Sequence, residues 1–438
     1  MTRRTPTLKA MFIVYDLIFM VFALLSLPVY LFKGKMHRGL FERLGFIPKL
    51  AWSRPVWVHA VSVGEVMSVK GLIRELKKAY PGKQIVISTV TATGNQVAKS
   101  IADAGIFLLY LPFDLSFIVN SVISRVNPCF FVIAETEVWP NLITCLYKKQ
   151  IPIVIVNARI SDASVKGYAA VKFLLKSVIN KVNLICAQSE QDAQRFKNAL
   201  GASSGIIKVT GNMKFDFTIP SMHEGAEIAL RKDMSVLPSD KLLVCGSTRP
   251  GEEEVILKVY KELLREFGNF KLVIAPRHPD RSQEVSSLVS RFGFNSVFIS
   301  RLPYECVSCM TRPVFILDTI GNLLEFYKAA DIVFVGGSLV RLGGHNILEP
   351  AIFAKPVIFG PHMFNFRDIC GLFLKENAGI MVHNDAELKV KIAMLLNSPQ
   401  EARAFGERAR ELIRKNQGAT SRNIGEIQKV VAACGGLC

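Results

Sequence analysis

The chain has 438 residues, with 54 Lys and Arg against 36 Asp and Glu and a formal net charge of +18. Half of the residues are hydrophobic and 21% are charged, which excludes a disordered chain and is too polar for a polytopic transporter. A chain of this length is expected to form two domains, or three small ones.

The charge is unevenly spread. Residues 1–49 hold eight basic side chains (Arg3, Arg4, Lys9, Lys33, Lys35, Arg38, Arg43 and Lys49) against Asp16 and Glu42, a third of the net charge in a ninth of the chain. Met11–Phe32 is a 22-residue apolar run interrupted by Asp16, Ser26 and Pro28. A helix of about 20 apolar residues crosses a bilayer core, and the basic stretch Lys33–Arg38 behind the run suits anionic headgroups. No small-residue cleavage site follows the run, which disfavours a signal peptide. An N-terminal membrane-anchor helix is expected, spanning or partly interfacial, with the bulk of the chain in the cytoplasm. The nine cysteines form no framework. Cys306 and Cys309 make a CxxC without a second pair at zinc spacing, and reduced thiols are expected throughout.

Beyond residue 49, short apolar runs alternate with longer amphipathic stretches. Strands are predicted at Val56–Val61, Gln84–Val90, Cys129–Ala134, Ile153–Asn157 and Leu184–Gln188, with helices such as Val66–Tyr80, Pro140–Lys149 and Glu190–Leu200. The rhythm then repeats. Strands are predicted at Lys241–Gly246, Lys271–Pro276, Val314–Asp318, Asp331–Gly336 and Pro356–Gly360, with helices at Glu252–Phe267, Arg281–Phe292, Leu323–Ala329 and Ile347–Ala354. Such alternation indicates βαβ units and parallel sheets covered on both faces. The polar segment 218–240, with Pro220 and Pro238, is the expected connection between domains spanning 50–217 and 241–438. Two doubly wound domains place their ligands beyond the carboxyl ends of the strands, in a cleft, so functional residues are expected just after strands.

The unusual local sequences stand there. Gly336–Pro350 (GGSLVRLGGHNILEP) follows a predicted strand and enters a predicted helix near Asn346. Its glycines and a helix N-terminus suit a nucleotide phosphate, and Glu349 suits ribose hydroxyls; a tight turn without ligand is the alternative. The pattern is neither a Walker A loop nor GxGxxG, which argues against an ATPase or an ordinary dehydrogenase. Arg277, in Ala275-Pro-Arg-His-Pro279, suits a phosphate or a base, or stands solvated at the surface. In Val58-His-Ala-Val-Ser-Val-Gly-Glu65, the final glutamate either complements a helix dipole or acts as a general base. Glu135 and Glu137 end an apolar strand and need solvent or cations, for which Arg159 and Lys214 are candidates, structurally or in a site. No D-x-D segment and no metal-ligand spacing is present, so no metal is expected.

At these residues the chain resembles the 3-deoxy-D-manno-octulosonic acid (Kdo) transferases of Gram-negative lipopolysaccharide synthesis. The matching pieces are Phe41–Gly45, His59–Glu65, Glu135–Asn141, Asn157–Arg159, Gly211–Asp216, Pro276–Pro279, Gly336–Glu349 and Gly360–Phe366, in family order over nearly the whole chain. The resemblance implies an α/β, GT-B glycosyltransferase: two Rossmann-like domains facing a cleft behind a membrane anchor, the first binding acceptor and the second CMP-Kdo. It implies inverting transfer of Kdo to the 6′-hydroxyl of lipid IVA, the tetraacyldisaccharide lipid A precursor, and then to Kdo-lipid IVA, at the cytoplasmic side of the inner membrane. By resemblance Glu65 is the proton acceptor, and Glu135 and Lys214 stabilise the transition state. Pro276, Arg277, Ile320, Gly321, Asn322, Asn346, Ile347, Leu348 and Glu349 hold CMP, although the family usually carries an acidic residue where Asn322 stands. No cofactor is implied. Two competitors are a membrane-associated GT-B transferase using a UDP-sugar and a tethered nucleotide-binding protein without catalysis. Nucleic acid is not an expected partner, since no recognition module is present.

Overall fold

The computed structural model describes residues 13–21, 25, 39–217, 219, 223, 225–302 and 312–435. Most of the expected anchor, the basic stretch Lys33–Arg38, Pro220 and the Cys306/Cys309 pair lie outside the described residues. The chain divides into two compact units, residues 1–218 with 417–438, and residues 219–416.

The first unit is built on a seven-stranded sheet of β1 (Val56–His59), β2 (Ile85–Thr89), β3 (Ile106–Tyr110), β4 (Phe130–Ala134), β5 (Ile153–Ala158), β6 (Leu184–Ala187) and β7 (Ile207–Val209). The strand order is β3-β2-β1-β4-β5-β6-β7, with every pairing parallel. Alternate side chains face opposite ways along a strand, and here both faces are covered. Trp57, Phe131, Ile133, Ile153 and Ile155 share one core with Ile118, Val122 and Leu142. Val56, Val58, Phe130, Val132 and Val154 share the other with Val66, Val69, Leu72 and Ile427. Burial on both faces is why these strands read as unbroken apolar runs.

The second unit repeats the plan with β8 (Lys241–Thr248), β9 (Phe270–Pro276), β10 (Asn295–Phe298), β11 (Pro313–Ile316), β12 (Ile332–Val335), β13 (Val357–Phe359) and β14 (Ile380–Met381). The order is β10-β11-β9-β8-β12-β13-β14, again parallel in every pairing. In each sheet the order reverses beside the first strand of the unit, between β1 and β4 and between β8 and β12, and such crevices are where doubly wound sheets place ligands.

The division between units corrects the expected boundaries at both ends. The segment 218–240 contains the helix Ala226–Asp233, which belongs to the second unit: Arg231 donates to the Ala329 carbonyl at 2.9 Å and pairs with Asp331, and Glu227 pairs with Lys328. The helix Ala419–Ala433 belongs to the first unit rather than the second, because the Asp216 carboxylate accepts the Gly418 and Thr420 amides at 2.6 and 2.5 Å and so caps its N-terminus. Cys145, Cys186, Cys245, Cys370 and Cys434 are free thiols. Cys129 is disulfide-bonded, against the expectation of reduced thiols throughout. Pairing depends on spatial approach, which scattered sequence positions do not reveal.

At the N-terminus, residues 13–21 are helical and packed on the first unit. The Tyr15 hydroxyl donates to Asp114 at 3.0 Å, and Asp16 accepts the Ser116 hydroxyl and the Asn141 amide, both at 2.6 Å. The polar break in the apolar run thus holds the segment on the protein, with Phe19 and Met20 against the core, while Ile13, Leu17, Ile18 and Val21 remain exposed. Among the described residues no helix is long and apolar enough to cross a membrane.

Candidate functional site

In the first unit the predicted residues gather at the carboxyl edge of the sheet. The residues His59–Glu65 leave β1 and enter the helix Val63–Ala79, so that Glu65 stands in its first turn. Its Oε2 accepts the Val61 amide at 2.8 Å and its Oε1 accepts the Ser62 hydroxyl at 3.1 Å. Burial pushes the Glu65 carboxyl up to about 7, and the charges of Glu135 and Glu137 add to the rise. A group whose ionisation lies near neutrality accepts a proton at physiological pH and returns it readily. Glu137 is also pushed up to about 7 by burial, against the Trp139 side chain and with a further rise from Glu135.

Glu135 follows β4 directly. Its backbone takes the left-handed conformation, φ 56°, while its amide still donates to the Val156 carbonyl at 2.9 Å. Asn157 at the end of β5 is also left-handed, φ 52°. Two non-glycine residues held this way on neighbouring strands store strain of the kind that gathers at functional sites. Asn157 is wholly buried and its Oδ1 accepts the Met213 amide at 3.0 Å. The turn Met213–Asp216 is thereby pinned to β5, and Asn212 accepts the Lys214 amide at 2.9 Å, which sets the backbone from which Lys214 projects. The Thr136 hydroxyl donates to the Arg159 carbonyl, joining the β4 and β5 loops. Glu65, Glu135 and Glu137 therefore act on one another electrostatically, and Lys214 is placed through Asn157.

Other matching pieces prove structural. Glu42 accepts the Tyr110 amide at 2.8 Å and Arg43 donates to the Val90 carbonyl at 2.6 Å, fastening residues 39–45 to the ends of β3 and β2. His59 is wholly buried on Ser88, and burial pushes its pKa down to about 4, so the imidazole is neutral.

In the second unit, Pro276 ends β9 and Arg277 is exposed just beyond it, its amide donating to the Thr248 carbonyl at 3.0 Å. Asn346 accepts the Leu348 amide at 3.1 Å and donates to Glu349 at 3.2 Å. Burial raises the pKa of Glu349, while Asn346 and the charge of Arg277 oppose the rise, so Arg277 and Glu349 lie within electrostatic reach. Burial pushes His345 down to about 4, with Arg277, Arg249 and His278 adding to the effect. Ile320 is 87% exposed and Gly321 takes φ 100°, leaving a turn that Thr319 closes by donating to Asn322 at 3.1 Å. The helix that follows, Leu323–Ala329, packs on the helix Leu348–Ala351.

Two expectations change here. The helix expected near Asn346 starts at Leu348 and has only four residues, so its dipole contributes little. The amides of Gly337, Ser338 and Leu339, expected to serve a phosphate, donate instead to the buried Glu252. Those three amides are therefore already partnered within the protein. Arg249 lies within electrostatic reach of Arg277 and His345 and was missed in the sequence, as was Glu252. The available signal was the segment Thr248-Arg-Pro-Gly-Glu-Glu-Glu254, where an arginine and three acids follow the first strand of the unit.

A family model described as 3-deoxy-D-manno-octulosonic-acid transferase (kdotransferase) matches residues 38–217. The chain is 35% identical to the 3-deoxy-D-manno-octulosonic acid transferase of Haemophilus influenzae, over 89% of this chain and 90% of that protein. It is 32% identical to the protein of the same name from Chlamydophila psittaci, over 92% and 93% of the two chains. Among solved structures, the UDP-GlcNAc 2-epimerase from Neisseria meningitidis is similar with a TM-score of 0.56 at 14% identity, covering 86% of this chain and all of that one. A glycosyltransferase from Rickettsia africae is similar with a TM-score of 0.55 at 14% identity, covering 87% and 99%. The last two share the fold alone, the paired parallel-sheet α/β units of the GT-B class. Together with the length and coverage of the sequence matches, the strand-end residues described above lead to one conclusion: the chain belongs to the 3-deoxy-D-manno-octulosonic acid (Kdo) transferase family of glycosyltransferases.

Proposed function

We propose that the protein is an inverting glycosyltransferase of lipopolysaccharide synthesis that moves Kdo from CMP-Kdo to lipid IVA and then to the Kdo-lipid IVA so formed. The observation that carries the reading is Glu65, in the first turn of the helix after β1, whose carboxyl is raised to about 7 by burial and by the charges of two carboxylates that follow β4. In the proposed reaction Glu65 takes the proton of the acceptor hydroxyl as its oxygen bonds to the anomeric carbon of Kdo. The bond from that carbon to the CMP phosphate breaks, and its electron pair leaves with the phosphate. Positive charge developing on the sugar is met by Glu135, and Lys214 steadies the negative charge in the transition state. Arg277, with Pro276, residues 320–322 and Asn346–Glu349, is assigned to the CMP moiety, Arg277 offsetting the leaving phosphate.

We place the protein at the inner membrane with its catalytic units on the cytoplasmic side. Support comes from the outward apolar side chains of residues 13–21 and the basic excess of residues 1–49. The test is mass spectrometry of lipid IVA incubated with purified protein and CMP-Kdo. Mass gains of one and then two Kdo units are expected. An unchanged acceptor, or equal transfer from a UDP-sugar, refutes the proposal.

A further inference from the structure

The helix Glu252–Leu263 begins two residues after a proline, and its first residue is an acid with no exposed surface. A glutamate in a first turn ordinarily complements the dipole from the solvent. Glu252 does not. Its Oε2 accepts the amides of Gly337 at 2.7 Å and Arg249 at 3.0 Å, and its Oε1 accepts those of Ser338 and Leu339, each at 2.9 Å. Four backbone donors converge on one carboxylate, across the gap between the ends of β8 and β12. That gap is the point where the strand order reverses, and successive amides there form the kind of nest that receives a ligand anion in doubly wound domains. This chain supplies its own anion.

The contacts continue from Glu252 to the candidate donor residues. Gly337, held by Glu252, accepts the Gly344 amide at 2.8 Å on its carbonyl. The His345 ring lies over Gly337, so that a Cβ there would come within 3.0 Å of it. The next residue is Asn346, which sets Glu349. On the other side, Glu253 accepts the Thr248 hydroxyl and Arg281, both at 2.9 Å, fastening the segment that follows Arg277. Gly336 allows the two strand ends to meet, since a Cβ there would stand 2.6 Å from the Ser247 carbonyl oxygen.

We propose that Glu252 is a positioning residue for the donor: a built-in anion that shapes the 336–346 loop and the Arg249 turn around the CMP phosphate. The inference rests on the donor reading of Arg277 and Asn346–Glu349 given above. Glu252 need not touch the donor. Its loss is expected to weaken donor binding while leaving the chemical step, assigned to Glu65, largely intact.

The test uses the full-length protein, with Glu252→Gln and Glu252→Ala. Gln keeps the volume but turns an NH2 group toward amide donors; Ala leaves an empty nest. CMP affinity by calorimetry and CMP-Kdo KM are expected to weaken about tenfold or more in both, with kcat changed far less. Sodium formate, against sodium chloride at equal ionic strength, is expected to restore CMP affinity to Glu252→Ala but not to Glu252→Gln. Unchanged CMP affinity in both variants overturns the inference, as does a loss confined to kcat, or rescue by chloride equal to that by formate. Failure of both variants to fold, shown by circular dichroism, makes Glu252 a stability residue and overturns it as well. Wild-type protein that binds no CMP overturns the donor reading itself, and this inference with it.

Discussion

In both units the helix after the first strand carries a glutamate in its opening turn, beside the reversal of strand order, yet the two glutamates have opposite surroundings. Among the described residues Glu65 accepts a local amide and a local hydroxyl, and the charges of two other carboxylates act on it. Its charge is poorly satisfied and its pKa lies near 7. Glu252 accepts four amides, three of them from a loop some 85 residues further along the chain. Burial still raises its pKa, but each of the four amides works against the rise. One fold position thus yields a group able to move a proton and a group that holds a loop. The difference lies in how many donors the neighbouring strand end supplies.

The sharpest way to break this contrast is Glu65→Gln. Turnover is expected to fall by about 10²–10⁴-fold, the usual worth of a general base, while CMP binding measured by calorimetry stays intact. The same variant should be more stable than wild type above about pH 7. The unfolded carboxyl ionises from its ordinary value of 4.5 while the folded one holds its proton until about 7, so the cost to stability grows between those pH values and is complete above about 7, and Gln removes that cost. Thermal melts at pH 5 and pH 8 check this, with the gain expected at pH 8.

Arg277→Ala should act on the donor side alone. Loss of a charged partner to phosphate is expected to weaken CMP binding about 10–100-fold, with acceptor KM unchanged. Glu137→Gln should sharpen the first-unit half of the contrast. Wild-type activity is expected to fall as pH drops through about 7, because Glu65 takes up a proton. Removing the Glu137 charge shifts that acidic limb to lower pH, which a pH–rate profile detects. The smallest effect is expected from Asp216→Ala. The two capped amides of the helix Ala419–Ala433 lose their acceptor, costing about 1 kcal/mol in a denaturant melt with no change in CMP affinity.

The ten interior strands were legible in the sequence because both of their faces are buried. The four strands absent from the sequence-based prediction, β3, β7, β10 and β14, are the four sheet edges. In β7 (Ile-Lys-Val) the last two residues are exposed, and β10 (Asn-Ser-Val-Phe) buries only Val297, so neither presents an apolar run. The places of Glu135 and Arg277 were legible because these residues stand directly after interior strands, and that of Glu65 because β1 runs into the helix that carries it. Glu252 and Arg249 were not, since their meaning arises only when β8 and β12 become neighbours. The return of the last helix to the first unit was hidden for the same reason: its cap, Asp216, lies 204 residues before Thr420.

The most direct test of the central contrast is a side-by-side kinetic and binding study of Glu65→Gln and Glu252→Gln with CMP-Kdo, lipid IVA and CMP. The first variant should bind CMP normally and lose turnover together with the acidic limb near pH 7. The second should turn over with that limb intact and bind CMP more weakly. Two variants that fail in the same parameter would contradict the division of labour between the two glutamates.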